Sequence, residues 1–169
     1  VTAEVTPHHL TLTDEAVLGY HTHCKVNPPL RSDEDREALI AAVKDGTIDC
    51  IATDHAPHSV LEKDCEFSDA SYGLNGPETT FPALPPLGKT GALSALRLVE
   101  ALSTAAARVG RIEGGSLKVG ERADLVLLDP EARWTITREA LRSRSHNTPL
   151  LNHEVVGADP SMALVAFAR

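Results

Sequence analysis

The chain has 169 residues and a mass of 18.0 kDa, room for one domain or one and a piece. Apolar residues make up 42% and charged residues 24%, a globular composition that excludes a disordered chain. A formal net charge of −8 leaves no basic face to displace counterions, which excludes nucleic acid as a partner, and the longest purely apolar run, 162–168, is far too short for a membrane helix.

Cys24, Cys50 and Cys65 are odd in number and lack C-x-x-C spacing, so neither a disulfide framework nor a cysteine zinc site is expected. They fit a reducing, cytoplasmic compartment, and no basic-then-apolar targeting segment opens the chain. Residue 1 is Val, and 1–5 already reads as a strand, so the chain is expected to be a segment of something longer.

The strand at 1–5 is broken by Thr6-Pro7-His8-His9, and a short helical start is expected at Thr13. Residues 24–27 read as extended, stopped by Pro28 and Pro29. Ser32 caps a helix with acids in its first turn, Leu39, Ala42 and Val43 on one face, and Gly46 as its stop. The apolar stretch 47–53 follows as a strand, and helix, glycine, buried strand is the αβ half of a βαβ unit in a parallel sheet or barrel. Residues 55–77 show no periodicity and read as a long functional loop. Helices are expected at 79–84 and 92–102, and from Ser103 as N-cap to Val109. The tail becomes β-rich, with strands at 123–129, 134–137 and 162–167, a helix at 138–143, and a polar loop at 145–149.

The sharpest chemical cluster is Ala52-Thr-Asp-His-Ala-Pro-His58. Asp54 emerges where a buried parallel strand ends, the position at which α/β folds place their active sites, and His58 follows four residues later. A carboxylate there can bind a metal, act as a general base, or do both; it can also simply cap a turn. Asn27 and Arg31 flank a Pro-Pro turn and could clamp a carboxylate or an imide. His8 and His9, adjacent in extended backbone, would point apart and not share one ion. His21 and His23 have chelating spacing but surface-loop surroundings, and His146 and His153 are expected to be solvated.

Four stretches occur in order: 1–10 with Pro7-His8-His9-Leu10, 25–31 with Asn27-Pro-Pro-Leu-Arg31, 45–49 with Asp45-Gly-Thr-Ile-Asp49, and 51–58. Together they resemble the C-terminal part of the type I dihydroorotases of the amidohydrolase superfamily, and 115–126 resembles that superfamily's return to its small β-sandwich domain. The resemblance covers essentially the whole chain. It implies an α/β fold, the C-terminal βα units of a (β/α)8 TIM-like barrel over 1–112 and the end of a composite β domain over 113–169. It implies zinc, one or two ions, and the reversible cyclisation of N-carbamoyl-aspartate to dihydroorotate in pyrimidine synthesis.

By the same resemblance Asp54 is a metal ligand and the proton carrier, Asn27 and His58 hold the substrate, and the backbone of Tyr72 and Gly73 contacts the pyrimidine ring. The family's opening His-x-His-x-Arg motif, bridging residue and later metal histidines are absent, so Asp54 is the one metal ligand by this mapping, against the four that zinc normally takes. The chain alone is therefore expected to be inactive, with the N-terminal half of the same enzyme as its partner, and a homodimer or an aspartate carbamoyltransferase complex as further assemblies. Two alternatives are a non-catalytic dihydroorotase-like scaffold of aspartate carbamoyltransferase and a hydantoinase- or allantoinase-like cyclic amidohydrolase.

Overall fold

The computed structural model describes residues 1–84, 88–121, 123–157 and 164–168. Two short strands, β1 (Glu4–Val5) and β2 (Cys50–Ile51), pair in parallel with Val5 opposite Ile51. Between them the chain makes helix α1 (Pro7–Thr11), two 3-10 turns at Asp14–Val17 and Thr22–Cys24, and helix α2 (Asp33–Asp45). This is the expected βαβ unit, with strands shorter than their apolar runs.

Ser32 Oγ accepts from the Asp35 N–H at 3.2 Å, Asp33, Glu34 and Asp35 complement the helix dipole of α2, and Gly46 ends it at φ +87°. Its inner face is Ile40 and Val43, one residue round from the expected stripe, with Leu39 and Ala42 partly buried beside them. These side chains pack with Val5, Leu10, Ile48, Ile51, Leu84, Leu93 and Ala101 into the main core. Arg97 locks the turn between α2 and β2, donating to Val43 O at 2.7 Å and Ile48 O at 2.8 Å.

Several expectations are corrected. Pro7-His8-His9 does not merely break the strand: Thr6 caps α1, its Oγ1 accepting from the His9 N–H at 3.2 Å, and Pro7 sits at the first turn, where its missing N–H costs nothing. The 55–77 loop contains a one-turn helix, α3 (Val60–Lys63), nucleated by a capping box between Ser59 and Glu62. Helix α4 spans Pro77–Ala83.

The two helices expected at 92–102 and 103–109 are one run. Helix α5 (Ala95–Val99), capped by Ser94, passes through a π turn at Glu100–Thr104 into α6 (Ala105–Gly110). Ser103 is therefore no cap. Gly115 crosses this π turn so closely that a Cβ would lie 3.0 Å from Thr104 Cα.

In the tail, β3 (Ala123–Leu127) pairs antiparallel with β6 (Leu164–Ala168), and β4 (Arg133–Thr135) with β5 (Glu154–Val156), a strand the sequence reading did not include. Residues 162–163 of the expected last strand lie outside the described residues. The helix expected at 138–143 is a turn, in which the Thr137 hydroxyl accepts from the Ala140 N–H at 3.3 Å, a local bond that competes with helix. No helix among the described residues is long and apolar enough to cross a membrane.

Candidate active site

The site is built outward from the end of β2. The Ala52 N–H donates to Val5 O at 3.0 Å, the last rung of the parallel pair, and two residues later Asp54 adopts φ +49°. This left-handed conformation is one that Asp tolerates better than bulkier residues, and non-glycine residues held there cluster at functional sites. It turns the chain sharply and leaves Asp54 exposed at the strand's C-terminal end.

The following segment doubles back on the far end of the 55–77 loop. His55 bridges Leu74 in parallel fashion, and the Ala56 N–H donates to Leu74 O at 2.9 Å. His58 lies between Glu62, 3.5 Å from Nδ1, and Tyr72, whose carbonyl is 2.8 Å from Nε2. A carbonyl and a carboxylate only accept, so Nε2 donates to Tyr72 O, and Nδ1, when it also carries a hydrogen, donates to Glu62. Hydrogen bonds from Ser59, and then from His58, hold Glu62 below the usual carboxylate range.

Gly73 packs flat against this strip. Its φ is +110°, and a Cβ there would lie 2.4 Å from Ala56 Cβ and 3.7 Å from His58 Nε2. Only glycine satisfies both the backbone and the space. Its N–H donates to Lys25 O at 2.9 Å, which brings the loop against the segment carrying Asn27. Asn27 is exposed, and its neighbour Pro28 is anchored from below by His9, whose Nε2 lies 3.0 Å from Pro28 O while Nδ1 takes the Thr6 hydroxyl at 2.6 Å. His8 and His9, expected to point apart from extended backbone, instead lie in a helix with their ring centroids 4.7 Å apart.

Two buried lysines, neither singled out by the sequence reading, fasten the loop. Lys25 Nζ donates to Phe67 O at 2.7 Å and Ser68 O at 2.9 Å and lies 4.5 Å from the centre of the Tyr72 ring. Lys63 Nζ donates to Ser71 O at 2.7 Å and Thr22 O at 3.0 Å. With carbonyls as its hydrogen-bond acceptors, burial, with the Lys25 charge adding, pushes Lys63 down to about 8. His58, Tyr72 and Gly73 are thus in direct contact, Asn27 lies two residues beyond the Lys25 carbonyl that accepts from Gly73, and Asp54 lies four residues before His58.

In the polar loop at 145–149 Ser145, Asn147 and Thr148 are closed off from solvent, and His146, expected to be solvated, is half-buried, while His153 is exposed as expected. His23, on its 3-10 turn, lies 3.3 Å from Thr148 O through Nδ1, and burial lowers its pKa. His8 is buried and lines a small cavity with Thr53, Leu74 and Thr80, and burial, followed by the neighbouring His9, lowers its pKa to about 3.

No group of three or more His, Cys, Asp or Glu side chains among the described residues is arranged to hold a metal ion. The residues present therefore do not fit a zinc centre by themselves, since Asp54 alone would supply one ligand where three or more protein ligands are needed. Cys24, Cys50 and Cys65 are all free, and burial raises the Cys24 and Cys50 thiols above their ordinary value.

A carboxylate stands exposed at the carboxyl end of a parallel strand, and the chain belongs to the amidohydrolase family, whose profile matches residues 2–165. It is 48% identical over 158 residues to the dihydroorotase of Trichlorobacter lovleyi, a match covering 94% of this chain and 37% of that protein. It is 50% identical over 159 residues to that of Anaeromyxobacter dehalogenans, covering 93% and 37%. Among solved structures it is similar to the L-hydantoinase (dihydropyrimidinase) of Arthrobacter aurescens, with a TM-score of 0.87 and 31% identity, covering 99% of this chain and 39% of that one. A D-hydantoinase structure matches with a TM-score of 0.81 and 25% identity, covering 97% and 38%. The chain thus spans a little over a third of the length of these relatives, and its fold is the α/β fold of part of an amidohydrolase TIM barrel.

Proposed function

We propose that this chain supplies the proton-carrying carboxylate and the substrate cradle of a dihydroorotase. The observation that carries the reading is the exposed Asp54 at the end of β2, followed by a His58–Tyr72–Gly73 contact that glycine alone permits. The identity to dihydroorotases over nearly the whole chain supports it.

In this reading a water molecule attacks the ring carbonyl of dihydroorotate. Asp54 takes one proton from that water as the C–O bond forms. It returns the proton to the ring nitrogen as the C–N bond breaks, giving N-carbamoyl-aspartate; cyclisation runs the same path backwards. His58 and Asn27 hold the substrate, and the bare backbone at Gly73 lets the ring lie close. Positioned proton transfer of this kind is worth about 10²–10⁴-fold in rate. A zinc centre belongs to the proposal, with ligands other than Asp54 drawn from outside the described residues. So do pyrimidine synthesis, a cytoplasmic location, and the division into barrel units over 1–112 and composite β domain over 113–169.

The similarity to L-hydantoinase favours a second reading, a hydantoin-ring hydrolase using the same groups. Intact Asp54 and His58 weigh against a non-catalytic scaffold. The test is turnover by the full-length protein of dihydroorotate, hydantoin and dihydrouracil in parallel. Preference for dihydroorotate supports the proposal; preference for the uncharged rings supports the second reading, and no turnover of any ring refutes both.

A further inference from the structure

We propose that Asn147 is a positioning residue for the substrate cradle, its side-chain amide holding the His58 and Gly73 segments at a fixed separation with help from the Ser145 hydroxyl. The inference rests on the reading of His58 and Gly73 as substrate holders.

Asn147 is 3% exposed and Ser145 6%. Asn147 Nδ2 donates to Ala56 O at 2.9 Å and to Gly73 O at 3.2 Å. Its Oδ1 accepts from the His58 N–H at 3.2 Å and contacts the Ser145 hydroxyl. A carboxamide has two donor hydrogens and two acceptor positions, and both hydrogens and one acceptor position are taken by the backbone of Ala56, Gly73 and His58. The Ser145 hydroxyl accepts from the His58 N–H at 3.1 Å and donates to His58 O at 2.7 Å. Both backbone groups of His58 are therefore held from a segment 87 residues away in sequence.

That segment is itself pinned. The Asn75 N–H donates to Asn147 O at 2.9 Å, and Asn75 Nδ2 to Ser145 O at 3.1 Å. The Glu78 carboxylate accepts from the N–H groups of Arg142 and Ser143. Asn147 is thus the side chain that grips both walls of the cradle at once, while His58 aims its ring by a separate bond to Tyr72 O. A residue that only filled the core would affect stability. One that sets the spacing between two substrate-holding walls also sets substrate affinity, because a shift of a fraction of an ångström misplaces the holding groups.

Asn147→Asp separates these roles. The change keeps the shape but places a carboxylate oxygen against two carbonyl oxygens when ionised, and a donating O–H when protonated. In the full-length protein, KM for dihydroorotate relative to the parent should rise about tenfold at pH 8 with kcat within about threefold, and the ratio should shrink as pH falls toward 5. Titratable groups on the packed segments, His58, Glu62, His23 and Glu78, are common to parent and variant and cancel in that ratio. Ser145→Ala should raise KM about threefold with no pH dependence. Hydrogen–deuterium exchange should quicken at 55–58 and 72–75 in both variants and stay unchanged in α2.

A pH-independent KM ratio, a loss confined to kcat, or unchanged exchange in the two segments overturns the proposal, as does failure of both variants to fold. If the parent turns over no cyclic amide, the functional reading falls while the exchange result still decides the clamp: quickening at both segments supports it, and no change refutes it.

Discussion

Acid should undermine this fold through His8. The imidazole is 5% exposed, and neither ring nitrogen has a hydrogen-bond partner among the described residues. Burial, reinforced by His9, brings its pKa to about 3, against 6.5 in an unfolded chain. Between those values the unfolded state binds more protons than the folded one, so stability falls as pH falls. The contribution is complete above pH 6.5 and is lost progressively as pH drops toward 3. Linkage puts the loss between pH 7 and pH 5 at about 2 kcal/mol, a large share of the roughly 5–15 kcal/mol that holds a domain together. His8→Leu keeps a similar volume, needs no partner and cannot charge. The assay is denaturant unfolding of parent and His8→Leu from pH 8 to pH 4.5, with imidazole C2 hydrogen exchange reporting the His8 pKa directly. The difference between the two proteins should change by about 2 kcal/mol between pH 7 and 5. A His8 that titrates near 6.5, or a difference flat with pH, would refute the reasoning.

Gly73→Ala should raise KM more than tenfold, because its Cβ would lie 2.4 Å from Ala56 Cβ at φ +110°; adding Ala56→Gly should recover only part, since the backbone strain remains. Full recovery in the double variant would mean contact alone matters. Lys63, at about 8 in the folded chain and about 10.4 unfolded, leaves the unfolded state binding more protons in that window, so the parent should gain roughly 2.5 kcal/mol between pH 8 and 10.4 relative to Lys63→Met. Parallel stability curves for the two proteins would contradict it. Elemental analysis of the 169-residue chain alone should find no stoichiometric zinc, since Asp54 is its single plausible ligand; one tightly held zinc per chain would send attention to His8, His9, His21 and His23.

Local chemistry was legible wherever a short pattern fixes a short structure. Ser32 with its acidic turn and Gly46 bound α2 as written, and the apolar 48–52 stretch ending in Asp54 placed a carboxylate at a parallel strand end. What failed were signals shared by two outcomes. Thr6-Pro7 suits both a strand breaker and a helix start, and only the Thr6 hydroxyl meeting the His9 N–H decides for the helix. Ser103 looks like a cap, yet the π turn carries the helix through it. Lys25 and Lys63 carried no local signal, and 145–149 read only as a polar loop. Their burial depends on carbonyls contributed by residues far along the chain, such as Phe67 O, Ser71 O and Gly73 O, and no local pattern announces such partners. The run Ser145-His-Asn-Thr-Pro149, several short polar residues closed by a proline, was the one available hint of a structured turn.

The central claim is that Asp54 carries the proton in ring opening of dihydroorotate. It is tested most directly by kcat for dihydroorotate hydrolysis in the full-length protein, parent against Asp54→Asn, with circular dichroism confirming that both fold. The account predicts a parent that turns over and a variant whose kcat falls at least about a hundredfold with its secondary structure unchanged. A folded Asp54→Asn variant working within tenfold of the parent would contradict it.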